Sequence, residues 1–157
     1  MINILLISLL AYIGCVIGAY LAKATKEEIV LGKKYFKIAR KTIPLLLAIV
    51  LISTIFTNII WIAPLLIGLI ISKYVKHPYL FFGFALTVTA LHSKTLLLIT
   101  ATIIFVYGLV YGSMEKEVLK NIPYFVVPLL LLTTPQFITP NIEIWLGLIA
   151  GTLLLQK

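Results

Sequence analysis

Aspartate is absent from the 157 residues, arginine and cysteine occur once each, and histidine occurs twice. Each shortage removes a class of chemistry. Without aspartate there is no aspartyl intramembrane protease dyad, and no aspartate-rich motif to hold the metal of a transferase. Cys15 alone leaves no disulfide within the chain and argues against a thiol-redox enzyme. His77 and His92 stand apart, too few for a three-histidine zinc site, and HExxH does not occur. No metal and no cofactor is expected. Charge itself is scarce. Only 11% of residues are charged, against about a quarter in soluble domains.

What fills the chain instead is apolar: 62% hydrophobic residues and a mean hydropathy of +1.15. Such a chain cannot cover itself in water, so a bilayer is the solvent it suits. The expected fold is all-α, a polytopic integral membrane helix bundle forming one domain over 1–157, in the cell membrane and multi-pass. The first segment, Ile2 to Ala22, lacks a basic stretch ahead of its apolar run and reads as a retained span, not a signal peptide.

The stretch from Lys23 to Thr42 carries seven of the thirteen basic residues. Thr25 opens a capping-box pattern with Glu28, and residues 24–42 read as a basic amphipathic helix. At 100° per residue, Leu31, Tyr35, Ile38 and Thr42 share one side. Lys33, Lys37, Arg40 and Lys41 share the other and would face lipid, with anionic headgroups as partner. The formal charge of +8 sits in short loops between apolar segments, where lysine orients a membrane chain, so nucleic acid is not the partner.

After this helix the segments fall at 43–56, 59–72, 78–91, 95–112, 122–134 and 142–155, about seven spans in all, with Thr57-Asn58 as a tight turn. They group as three helical hairpins, 43–75, 77–114 and 120–157, each entered through lysine and then proline (Pro44, Pro78, Pro123), the pattern of an internal repeat. All basic residues except Lys94 then fall on one side. The N-terminus is therefore expected outside and the C-terminus inside. Segments of fourteen to eighteen residues reach about 21–27 Å, short of a hydrocarbon core of about 30 Å.

Two sets of residues stand out. Gly14 and Gly18, Gly108 and Gly112, and Gly147 and Gly151 are small-xxx-small pairs that let helices approach closely in lipid. Ser53, Thr54, Asn58, Thr87, Thr89, His92, Thr133, Thr134, Gln136 and Glu143 map to the outer half, where Pro135 and Pro140 break the helix. Hydroxyls, amides and freed carbonyls there could line a vestibule for a cation or a small polar solute. The alternative for the hydroxyls is ordinary helix-end capping, and for Glu143 a place in the first turn of a helix capped by Asn141.

Glu27-Glu28 resembles the paired glutamates of prenyl-protein endopeptidase relatives. Those carry arginine four residues after the second glutamate, where this chain has Gly32, so nothing is carried over. Seven spans with the N-terminus outside is also similar to the acyl-phosphate glycerol acyltransferases, but no glycine-rich phosphate loop is present. Three function classes stay open. The first is a transporter, channel or transport subunit for a small solute or ion. The second is a structural or assembly subunit, pairing with itself or another membrane protein. A lipid-modifying enzyme is the third.

Overall fold

The computed structural model of the protein describes residues 2–56, 59–114 and 118–155, without the side chains of residues 2, 26–31 and 33. The described chain is all-helical. Seven α-helices follow in order: α1 (Ile2–Ala24), α2 (Lys26–Ile55), α3 (Ile62–Tyr74), α4 (Pro78–His92), α5 (Lys94–Met114), α6 (Ile122–Leu129) and α7 (Ile142–Leu154). Short 3-10 turns lead into α3 and α6, and three more carry the proline-rich stretch between α6 and α7. Four segments are long and apolar enough to cross a membrane: Asn3–Ala24, Lys34–Ile55, Lys94–Met114 and Pro135–Leu154. The turn expected at Thr57-Asn58 lies outside the described residues.

α2 departs from the expected division. A boundary was expected near Thr42, between a basic helix and a separate span, but one helix of 30 residues runs through both. Pro44 lies inside it, buried, and removes the amide that would bond the Arg40 carbonyl. The helix survives because Pro44 costs one bond while Leu47, Ala48, Leu51 and Ile55 on the same side are fully or nearly fully buried. The Thr25 half of the expected capping box is not made, and the Glu28 side chain lies outside the described set. Thr25 gives no cap bond to α2, and its hydroxyl donates back to the Leu21 carbonyl at 3.0 Å. Asn141 likewise makes no side-chain cap for α7.

Packing is organised by glycine. α1 lies against α5, where a methyl group at Gly14 would strike the carbonyl of Phe105 and one at Gly18 that of Leu109. From the other side, a methyl at Gly108 would come within 2.7 Å of the Cys15 amide nitrogen, and one at Gly112 would strike the Cys15 carbonyl. Residue numbers rise together along the seam, so α1 and α5 run parallel. α3 and α7 form a second parallel pair, with Gly68 against Leu148, Gly151 against Leu65, and Gly147 placed so that a methyl group on it would come within 2.7 Å of the Trp61 carbonyl oxygen. α4 and α6 form the third, where Gly83 meets the Phe125 carbonyl and the ring of Pro128.

These pairs differ from the expected hairpins. α4 and α5 do pack as sequence neighbours, but α3 lies on α7 and α6 lies on α4. Helices that are two or four apart in the chain are parallel in an up-and-down threading, and all three pairs obey that rule. Their registers therefore bring the ends of α1, α3 and α5 and the starts of α2, α4 and α6 to one end of the bundle. That end carries Lys23, Arg40, Lys73, Lys76 and Lys120. α4 is the centre: α5, α6 and α7 surround it, and α2 rests on α5 and α7.

Candidate functional site

The buried polar chemistry of this bundle lies at its lysine-rich end. Tyr79, one residue into α4, is buried and touches five aromatic rings. The centroids lie 5.1 Å from Tyr111, 5.7 Å from Tyr12, 6.0 Å from both Phe82 and Tyr107, and 6.4 Å from Phe125. Edge-on geometry dominates, the arrangement that sets the positive edge of one ring on the negative face of another. Four helices, α1, α4, α5 and α6, supply this cluster, and the α1–α5 seam fixes it: the close backbone approach at Gly108 and Gly112 brings Cys15 in beside Tyr107 and Tyr111.

Buried phenols need partners, and these have them. The Tyr79 hydroxyl donates to the Cys15 sulfur at 3.0 Å, and the Tyr12 hydroxyl donates to the Val118 carbonyl at 2.7 Å. Arg40 turns in from α2. Its guanidinium carbon sits 4.9 Å from the centre of the Tyr111 ring. A guanidinium over an aromatic face is worth up to about 2 kcal/mol where water is displaced. The arrangement ties α1, α2, α4 and α5 together at one depth. Next to it, His77 stacks on Tyr124 with centroids 4.2 Å apart, joining the starts of α4 and α6.

Arg40 is thus not on the lysine face where the 100° projection put it. Lys37 and Lys41 are exposed, Arg40 is half-buried against tyrosine, and the Lys33 side chain lies outside the described set. The six glycines expected at helix contacts all stand at contacts. Gly68 and Gly83 do the same work and carry no partner glycine four residues away, so a search for doublets passes over them.

The described hydroxyls of the outer polar set are closed onto backbone carbonyls, most of them within their own helix. Ser53, Thr54 and Thr133 are exposed, and each hydroxyl donates to a carbonyl of its own helix at 2.7 Å. Thr134 is half-buried with a long bond of 3.5 Å to the Leu131 carbonyl, and Gln136 and His92 are exposed. Glu143 is half-buried in the first turn of α7. Asn58 lies outside the described residues. Among the described hydroxyls of this set, that of Thr87 bonds across helices: fully buried, it donates at 3.0 Å to the carbonyls of both Gly83 and Pro128, stapling α4 to α6. Thr89, also buried, donates to the carbonyls of Ala85 and Leu86. A groove of about 420 Å³ on this part of α2 is lined by Ile49, Ile52, Ser53 and Phe56, an apolar surface except for one hydroxyl.

One buried hydroxyl has no partner among the described residues: Thr100, on the α5 stripe that continues through Ile104 to Tyr107 and Tyr111. No group of three or more histidine, cysteine or acidic side chains among the described residues could hold a metal ion. Compared with protein-family models, curated proteins and solved structures, the chain matches none.

Proposed function

We propose that this chain is a multi-pass membrane protein of the cell membrane, with its lysine-rich end in the cytoplasm, that serves as a structural or assembly subunit of a membrane complex. The observation that carries this reading is the interior. Tyr79, Phe82, Tyr107, Phe125, Leu86, Ile104, Leu146 and Ile149 are buried between the helices, and the buried hydroxyls of Ser8, Thr87, Thr89 and Thr152 are closed onto backbone carbonyls. Three glycine seams hold that interior tight, as packing alone must in lipid. The outer surface supports immersion: Leu5, Leu6, Leu9, Leu10, Val16 and Ile17 of α1 all face outward. An apolar area of that extent meets lipid or another membrane protein. The cytoplasmic placement of the lysines follows the charge asymmetry of membrane loops.

A transport role has one observation on its side. The unpartnered Thr100 hydroxyl shares a helix stripe with Tyr107 and Tyr111, so polar atoms recur along one line from the bundle interior to Arg40.

The two readings separate in one set of measurements. In mild detergent extracts of native membranes, the assembly role puts the chain in a stable particle larger than the monomer. Vesicles reconstituted with the pure chain then stay as tight to ions and small neutral solutes as empty ones. Protein-dependent flux that changes with Thr100→Val would establish transport and sink the assembly role. A monomer in native extracts would sink it as well.

A further inference from the structure

We infer that residues 34–45 of α2 form a docking surface for an anionic lipid leaflet, lying along the rim of the bundle. This rests on the membrane reading above, and the register of the helices carries it. Gly14 meets Phe105 and Gly18 meets Leu109, so the end of α1 stands level with the end of α5 near Met114. Thr25 alone separates α1 from α2, and Lys26 therefore starts at that same rim. Arg40 comes fourteen residues later, roughly 21 Å along a helix. Yet its guanidinium rests on Tyr111, less than one turn below Met114. The reach of the arginine side chain accounts for about one further turn. Most of the 21 Å is therefore travelled across the end of the bundle, not down into it.

The surface of this segment divides lengthwise to match. Phe36, Ala39, Arg40 and Ile43 are half-buried, Arg40 on the Tyr111 ring and Ile43 against the core, and they lead to the buried Pro44 and Leu47. On the exposed side, Lys34, Lys37 and Lys41 follow one another at helical spacing within one strip. Tyr35 and Ile38, 74% and 52% exposed, form the adjoining strip, which continues through Leu45 and Ile49 into the outward face of the membrane half of α2. An apolar strip continuous with a lipid-facing surface, bordered by a row of lysines, is what a helix at the headgroup boundary presents. Lysine stems lie along apolar surface while their ammonium groups reach the phosphates. Charge complementarity selects the occupant. Each lysine near an anionic leaflet contributes about fivefold in binding, so three set a preference on the order of a hundredfold, screened by salt.

The test uses the full chain reconstituted in vesicles, with Cys15→Ser as background and single nitroxide labels at Lys34→Cys, Ile38→Cys and Leu46→Cys. Contact with dioxygen, which concentrates in the bilayer, is compared with contact with a water-soluble nickel chelate. In vesicles of phosphatidylcholine with phosphatidylglycerol, position 38 should favour oxygen and position 34 nickel. In phosphatidylcholine alone, in high salt, or with the remaining lysines of 34, 37 and 41 changed to glutamine, position 38 should become nickel-accessible. Position 46 is the control for the membrane reading itself. If 46 meets nickel, that reading fails and this inference with it. If 46 lies in the bilayer while 38 meets nickel in every lipid, the surface belongs to solvent or to a protein, and the inference alone is overturned. If 38 lies in the bilayer whatever the lipid charge, the lysines do not select an anionic leaflet and that assignment falls.

Discussion

Gly112 cannot carry a methyl group. Its missing Cβ would fall on the Cys15 carbonyl, which belongs to the backbone of another helix and has no freedom to rotate away. Gly112→Ala should therefore cost about 1–3 kcal/mol, the range for an overpacked core, read as an earlier midpoint when the detergent-folded protein is titrated with a denaturing detergent. Gly32 supplies the contrast. Among the described residues, a Cβ there meets the Phe36 ring edge at 3.1 Å, a side chain able to shift. Gly32→Ala should leave the midpoint unchanged or raise it by up to about 1 kcal/mol through helix propensity. If both variants behave alike, the α1–α5 seam is not what holds the fold. The two buried threonines of α4 divide in the same way. Thr87→Val removes a bond to the Pro128 carbonyl of another helix and should cost about 0.6–1.7 kcal/mol. Thr89 donates only within its own helix, to carbonyls that the helix ladder already uses. Thr89→Val should stay within about 0.5 kcal/mol in the same titration.

Helices α3 and α7 lie far apart in sequence but parallel in space, and a cross-link can read that directly. With Cys15 replaced by serine, cysteines at Leu65 and Leu148 should be joined by a short thiol cross-linker, since Gly151 meets Leu65 and Gly68 meets Leu148 on that seam. Cysteines at Ile52 and Leu65 should not, and a result the other way round would restore a 43–75 hairpin. Most helix limits were legible in the sequence because apolar runs bounded by lysine and proline mark them: 78–92 and 94–114 depart from the expected 78–91 and 95–112 by a residue or two. Pairing was not legible. Which helix meets which depends on matching a glycine on one surface to a backbone carbonyl on another, and Gly68 and Gly83 carry no signal until their partners are known. The continuity of α2 was hidden by Pro44, whose single lost bond counts for less than the buried side it shares. The aromatic cluster had a faint sign in Tyr107 and Tyr111 at i and i+4, yet Tyr12, Tyr79 and Phe125 join them only through the fold.

Threading decides what the molecule as a whole can do, because it fixes which end meets which compartment. Three parallel pairs make alternation of the helices the simplest path, and alternation gathers Lys23, Lys37, Lys41, Lys73, Lys76 and Lys120 at one end while Lys94 stands at the other. Short loops with that much lysine are retained on the cytoplasmic side. With Cys15 replaced by serine throughout, cysteines at Lys37, Lys76 and Lys120 should be shielded from a membrane-impermeant thiol reagent in intact cells and react after permeabilisation. A cysteine at Thr139, exposed between α6 and α7, should react in both. The reverse pattern would invert the orientation but keep the fold. Lys76 and Lys120 labelling on opposite sides would break the α4–α6 parallel pair, since their starts could not then share one end, and with it the alternation that gathers the lysines.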